Sequence, residues 1–381
     1  MNLGDMGAEV FKIEEPGSGD DTRGFGPPFV NGVSTYFLSI NRNKKSVAVN
    51  LKSPRAKELM QKLADVCDIV IENFRPGVAA RLGLGPEELR ARNPRLIYCS
   101  ISGFGHRGLP EFTKLPGYDM VVQGLSGLQH LTGFPDGAPT KVGVSISDLL
   151  SGMTAFQAIL LALYTRERTG KGQFLDVAML DATAQVLTFQ ATAHLIAGKN
   201  PQRMGNRHPS IAPYETFKAR DGFFNIAVGN DAQFKTLCDL LAIPVEERFV
   251  KNAGRVEHRE ALVALLEPRF SQRTVEDCIA SLMKVGIPAG EISDLPRTLS
   301  HPQLIEREMV IDLEHPVAGK TRMLGSPLKL EGAPAPAEFL PPPQLGEHTA
   351  EVLTSVLKLS AEEVKTLAAE KVVGLLASEA R

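Results

Sequence analysis

The sequence predicts an α/β protein: a large domain on a doubly wound parallel sheet, plus a smaller α+β domain. Three observations carry this expectation. Short apolar strands alternate with amphipathic helices through the first half, the succession that feeds a parallel sheet covered by helices on both faces. From about residue 211 the pattern shifts to a hairpin followed by helices. The chain has 381 residues, beyond the size at which a single core keeps growing, so two domains are expected.

Taken in order, MNLGDMG reads as the last turn of a helix stopped at Gly7, feeding a strand at 9–14. SVAVNL, 46–51, is the next strand, and 54–66 a helix with Ala56, Leu59, Met60 and Leu63 on one face. DIVIE, 68–72, reads as a short strand, 86–92 as a short helix and LIYCSI, 96–101, as a buried strand. Ligands of such sheets lie beyond the strand C-termini, which points to the loops at 73–77 and 102–108.

In 141–152, Val142, Val144 and Ile146 alternate with smaller or polar residues and predict a half-buried strand. Leu149, Leu150, Met153, Phe156, Ile159, Leu160 and Leu163 then predict an apolar helix. Asp148 falls at this junction, where a carboxylate is either a helix N-cap or a nucleophile. The segment by itself leaves both readings open.

TGKG followed by QFLDV, 173–177, predicts a turn and a strand, and a helix-rich stretch runs through Ala182, Val186, Leu187, Phe189 and Leu195. A hairpin turning at Arg220-Asp221-Gly222 comes next, with helices near 232–241, 259–270 and 274–285. The Pro-rich tract 332–343 predicts an extended connector. Ser360 and Glu363 are spaced as a capping box opening a helix over 361–376. The expected division is a large domain 1–214, a small domain 215–320, and a return segment 321–381 that rejoins the large domain.

Composition narrows the function. A net charge of −2 gives no case for nucleic acid or an anionic membrane as the partner. Cys67, Cys99, Cys238 and Cys278 form no CxxC pair and lie mostly in apolar stretches, so buried free thiols in a reducing compartment are expected. Apolar runs are interrupted, as by Ser151, Thr154 and Gln157 after Asp148, so no membrane span is expected and the cytoplasm is the expected location. No GxGxxG follows a strand, and neither a P-loop nor a GxSxG elbow occurs. The histidines have no ligand spacing, so neither a metal nor a permanently bound cofactor is expected.

Several motifs have two readings. Arg42, Lys44, Lys45 and Lys52 surround one strand, as a solvated basic edge or as a dock for the phosphates of a nucleotide-like cofactor. GDDTR and GPPFV form either a surface turn or a lid in which Arg23 grips a carboxylate. PGYDMVVQGLSG carries Tyr118 and Asp119 ahead of an apolar segment, and Asp119 is again a possible cap.

Together GAEVFKIEEPGSGDDTR, NRNKKSVAVNLK, IVIENFRPGVAARLGLG, NPRLIYCSISGFG, PGYDMVVQGLSG, SDLLSGMTAFQAILLALYTRERTGKGQFLDVAMLDA and LGEHT run in order along nearly the whole chain. This set resembles the family III CoA-transferases (CaiB/BaiF type), which include formyl-CoA transferase and the related α-methylacyl-CoA racemases. MNLGD, GDDTR, GPPFV and STYFLSINRNKKS resemble most the branch that handles succinate and hydroxymethylglutarate. The resemblance implies a CoA transfer between an acyl-CoA and a carboxylic acid, here dicarboxylates, with Asp148 as the catalytic carboxylate. It implies CoA contacts at Val49, Asn50, Leu51, Lys52, Asn73, Phe74, Arg75, Arg81, Tyr118 and Asp119. Arg23, Tyr36, Arg207 and His208 are the candidates for holding the acid. CoA enters as a substrate, and each subunit is implied to be a ring interlocked with a second in a homodimer.

Departures from the family pattern sharpen these expectations. Glu15 stands where formyl-CoA transferase has a CoA-contacting arginine, and no glycine-rich loop is evident between Ile211 and Gly229, which argues against formyl-CoA. Tyr118 replaces the histidine of the racemases' His-Asp pair, which argues against racemisation. A racemase-like enzyme and a non-catalytic CoA-binding relative remain the alternatives. The abrupt start leads to the expectation that roughly 20–25 residues of the family pattern, a strand and most of a helix, precede Met1. An upstream extension is expected to raise both melting temperature and CoA affinity; equal values for the two forms would refute it.

Overall fold

The structure, a computed structural model, describes residues 1–332 and 339–376. The middle of the expected Pro-rich connector therefore lies outside the described residues. Contacts group the chain into two units, each built from separated stretches. The first comprises Met1–Gln123, Ser145–Val186 and Leu299–Arg381, the second Gly124–Val144 and Leu187–Thr298. The expected small-domain segment, 215–320, lies in the second unit as far as Thr298.

In the first unit the parallel pairings fall in two separate three-stranded sheets rather than one doubly wound sheet. Phe11–Glu14 runs parallel to Lys45–Val49, with Phe11 opposite Lys45. Ile69–Glu72, Ile97–Ser102 and Phe174–Ala178 form the second sheet, all parallel and in that order. Phe11–Glu14 and Ile69–Glu72 each keep one edge without a strand partner among the described residues. The interior strands have the continuous burial that parallel sheets demand: Ser46 through Val49 and Ile97 through Ser100 are all buried.

Helix Pro54–Val66 forms as its periodicity requires, with Ala56, Leu59, Met60 and Leu63 buried. They join Val47 and Val49 in a core that also takes Val352, Leu353, Val364, Leu367, Val372 and Val373 from the end of the chain. The terminal helix is shorter than expected. Its capping box is present, with Glu363 N–H donating to Ser360 Oγ and Ser360 N–H to Glu363 Oε2, but it ends at Ala369. Lys371 turns the chain at φ +57°, and Val373–Gly374 then adds antiparallel to Lys45–Val49. The two β-branched valines fill the sheet's core instead of extending the helix.

The long helix Ile146–Thr169 covers the second sheet. Its buried residues Ser147, Ser151, Ala155, Ile159, Ala162 and Arg166 recur every three or four positions, a single stripe of mostly small side chains. Ala155 and Ile159 pack on Cys99 and Val177. The other side is apolar yet open: Leu161 is 68% exposed and Tyr164 64%. By length and composition alone this helix could cross a membrane, which its polar interruptions hid from the sequence reading. In the fold its buried stripe lies on the sheet.

The second unit is α+β. Tyr214–Lys218 and Phe223–Ala227 form the expected hairpin, closed by Ala219 N–H to Gly222 O at 2.8 Å. Ala289–Glu291 adds antiparallel to Phe223–Ala227. Helices Asp231–Leu241, Arg259–Phe270 and Val275–Lys284 enclose a core rich in phenylalanine, including Phe217, Phe224, Phe234, Phe249 and Phe270. All four cysteines are free, three of them buried.

One buried carboxylate locks the end of the first strand. Glu14 accepts from Arg23 Nε at 2.7 Å and Nη2 at 2.8 Å, and from Ser46 Oγ at 2.6 Å. Burial alone would raise its pKa, but the Arg23 fork and the Ser46 hydroxyl outweigh it and hold the group below its usual 4.5. A depressed carboxyl stabilises the fold above its unfolded pKa, and that contribution is lost as pH falls through the folded value. Glu14→Ala should therefore cost about 3 kcal/mol at pH 7, since it strands a largely buried guanidinium. In urea titrations the gap to wild type should shrink below about pH 4; a gap that stays constant with pH would contradict the linkage.

Candidate active site

The site is built from the C-terminal end of strand Ile97–Ser102. The loop that leaves it returns on itself at two glycines: a Cβ on Gly103 would lie 2.5 Å from Gly117 Cα. Any side chain at either position would push the strands of the loop apart. This contact sets Tyr118 and Asp119 beside the sheet's ligand-binding edge.

From there Asp119 reaches the long helix. Its Oδ1 accepts the Ser147 backbone N–H at 2.9 Å, and its Oδ2 accepts from Gln123 Nε2 at 2.8 Å. Asp119 is thus a cap, as one reading of the sequence allowed, but of the long helix rather than its own. The formal N-cap residue, Ser145, makes no side-chain cap bond. No strand precedes the helix: 141–145 are irregular, and Val144 is 54% exposed. Despite the alternation of valines, the segment joins no sheet among the described residues.

Asp148 consequently is not a cap. It sits in the first turn of the helix, open to solvent, and its carboxylate has no hydrogen bond or ion pair among the described residues. Partial loss of hydration and then the negative charge of Asp119 raise its pKa above the ordinary aspartate value. Gly152, one turn on, has nothing within 4 Å of where its Cβ would stand, so the space beside Asp148 is open. Ser147 Oγ is buried without a partner. A carboxylate of raised basicity, unpaired and facing open space, is equipped to act as a nucleophile.

The implied CoA contacts divide by the loops that hold them. Val49 is buried at the end of its strand, paired with Val373, so only its backbone is available. Asn50 Oδ1 accepts Lys52 N–H at 3.1 Å, which shapes the turn through Leu51 and leaves Lys52 exposed. Asn73 donates to Ile101 O at 2.7 Å, tying its loop to the neighbouring strand end. Phe74, Arg75 and Arg81 are exposed, and neither arginine has an ion pair among the described residues. Tyr118 is 68% exposed beside Asp119.

The candidates for holding the acid fare differently. Arg23 is committed to Glu14 and to Pro343 O, with its guanidinium over the Phe37 ring at 3.8 Å, so it is a structural residue rather than a free grip. Arg207 is likewise bound to Glu215 at 3.1 Å and to Glu260 at 2.5 Å. Both were read as spare cations because their acidic partners are remote or unmarked in sequence. Tyr36 lines a cavity of about 350 Å³ with Phe25, Pro27, Pro28 and Ser39. His208 lies between the Phe189 and Tyr214 rings in the second unit, its Nδ1 accepting Ser210 N–H. Among the described residues no group of three or more His, Cys, Asp or Glu side chains is arranged for a metal.

Sequence reasoning missed Gln123 and Ser147. Their only signal was position: Gln123 lies one helical turn beyond Asp119, and Ser147 directly precedes Asp148. Comparison with known proteins bears on the whole arrangement. The chain is 41% identical over 376 residues to succinyl-CoA:glutarate CoA-transferase from Mus musculus, covering 98% of this chain and 86% of that one. It is 43% identical over 352 residues to acetyl-CoA:oxalate CoA-transferase from Acetobacter aceti, covering 91% and 88%. The crystal structure of a CaiB/BaiF family protein from Brucella suis matches with a TM-score of 0.81 and 43% identity, covering 93% of each chain. The family model described as CoA-transferase family III matches residues 1–349, and the chain belongs to that family.

Proposed function

We propose that this enzyme moves CoA between an acyl-CoA and a dicarboxylic acid, with Asp148 as the nucleophile. The observation that carries the reading is the unpaired Asp148 carboxylate in the first turn of the long helix, at the ligand-binding edge of a parallel sheet. The named activities of relatives on succinyl-CoA, glutarate and oxalate support the substrate class.

A carboxylate oxygen of Asp148 attacks the thioester carbonyl, the C–S bond breaks, and CoA leaves as thiolate. The product is a mixed anhydride, which keeps both acyl groups activated where a serine ester would not. The thiolate then attacks the Asp148 carbonyl, releasing the first acid and leaving an aspartyl-CoA thioester. An incoming carboxylate attacks that carbonyl and expels the thiolate, regenerating an anhydride. Attack of the thiolate on the new acyl carbonyl delivers the second acyl-CoA and frees Asp148. One hard exchange is divided into steps of similar energy. The raised proton affinity of Asp148 makes it the better nucleophile once ionised.

For CoA, Lys52, Arg75 and Arg81 are the cations available to its phosphates, and the loops at Asn50, Leu51, Asn73, Phe74 and Tyr118 supply the walls. In the first unit Tyr36 is the remaining contact for the acid, since Arg23 is engaged with Glu14. The open apolar side of the long helix, with Leu149, Met153, Leu161 and Tyr164, exceeds what isolated surface residues explain and fits a homodimer, interlocked as in the family.

Asp148→Ala should abolish transfer between succinyl-CoA and glutarate while leaving the urea midpoint unchanged, because the side chain supports no cap; appreciable transfer by that variant would refute the assignment. Butyrate should be a much poorer acceptor than succinate, because a polar contact built for the distal carboxylate is left unpaired; equal kcat/KM for the two acids would contradict the substrate class. Leu161→Glu should lower the urea midpoint of the dimer, since interlocked subunits part only on unfolding. A dimer unaffected by charge on that side would place the interface elsewhere.

A further inference from the structure

Asp119 has a task other than touching CoA. We infer that Asp119 is a positioning residue for Asp148, holding the first turn of the long helix through Ser147 N–H while Gln123 fixes its other oxygen. The inference rests on the proposed role of Asp148 and deepens it.

The first N–H groups of a helix have no partner within it, and here the N-cap side chain does not supply one. Asp119 does so from a different element, 28 positions away in sequence, at 2.9 Å. The arrangement is built: Ser147 and Gln123 are both 0% exposed, so both anchors of the Asp119 carboxylate are fixed by packing. Ser147 adjoins Asp148, and its amide direction sets where the Asp148 Cα–Cβ bond leaves the helix. Each Asp119 oxygen thus accepts one hydrogen bond from within the fold.

The charge of Asp119 matters alongside its geometry. It is the ionised neighbour that acts on Asp148 among the described residues, and it works in the same direction as the loss of hydration, towards a more basic nucleophile.

Two substitutions separate geometry from charge. Asp119→Asn keeps an acceptor oxygen for Ser147 N–H and removes the charge. Its kcat at high pH should stay within about threefold of wild type, while the ascending limb of kcat against pH moves to lower pH. Asp119→Ala removes both, and kcat should fall about 10- to 100-fold with KM for the acyl-CoA within about twofold, as for a misplaced reacting group. A raised KM for acyl-CoA with kcat retained in either variant would overturn the inference in favour of a direct CoA contact. Should the alanine variant not fold, the asparagine variant decides alone: a raised KM for acyl-CoA with kcat retained refutes the positioning role, and an unmoved limb refutes the charge effect. Asp148→Ala is run in parallel: activity there would sink the nucleophile assignment itself, whereas an inactive Asp148→Ala beside an unaffected Asp119→Ala would sink only the role of Asp119.

Discussion

The hydrogen bond from Ser147 N–H to Asp119 joins the two parts on which the chemistry rests. One part is the loop that leaves the end of strand Ile97–Ser102 and doubles back at Gly103 and Gly117. The other is the long helix whose small-residue stripe lies over the same sheet. Without that bond the helix would begin on unpartnered amides, in the segment where fraying is cheapest. With it, Asp148 leaves the helix in a fixed direction, while its own carboxylate stays free of structural duty.

That division of labour resolves the ambiguity at the helix start. An aspartate ahead of an apolar helix is ordinarily a cap, and a capping Asp148 would have its oxygens engaged with backbone. The cap instead comes from Asp119. The same logic runs the other way for the arginines. Arg23 and Arg207, which look like free cations along the chain, neutralise Glu14, Glu215 and Glu260. Arg75, in the loop after a strand, and Arg81, at the end of the short helix Val78–Arg81, keep their charge available for a polyanion.

Much of the fold was legible because it depends on local pattern. The helix at Pro54–Val66 and the buried strand at Ile97–Ser102 follow from periodicity and apolar runs that no tertiary contact overrides. Errors arose where partners decide. Val142, Val144 and Ile146 have strand spacing but join no sheet among the described residues, and Val372 and Val373 leave the helix for a sheet that the sequence places more than 300 positions earlier. The division into two sheets was equally hidden, since strand order is a property of pairing. At the site, Asp148 and Asp119 were both legible as residues, but their relation was not: the bond between them is carried by the backbone of Ser147, which leaves no trace in side-chain chemistry.

The central claim is that Asp148 forms the acyl anhydride itself. In that route each turnover passes one oxygen from the incoming acid to the aspartate, because the oxygen that attacks the Asp148 thioester becomes the bridge and stays behind when thiolate takes the acyl group. Turning the enzyme over with succinyl-CoA and glutarate labelled with oxygen-18 in its carboxylates, then weighing the proteolytic peptide that carries Asp148, tests this directly. The account predicts label in that peptide, located by fragmentation to Asp148 and absent when CoA thioester is omitted. An unlabelled Asp148 after many turnovers, or label on another carboxylate, would contradict it.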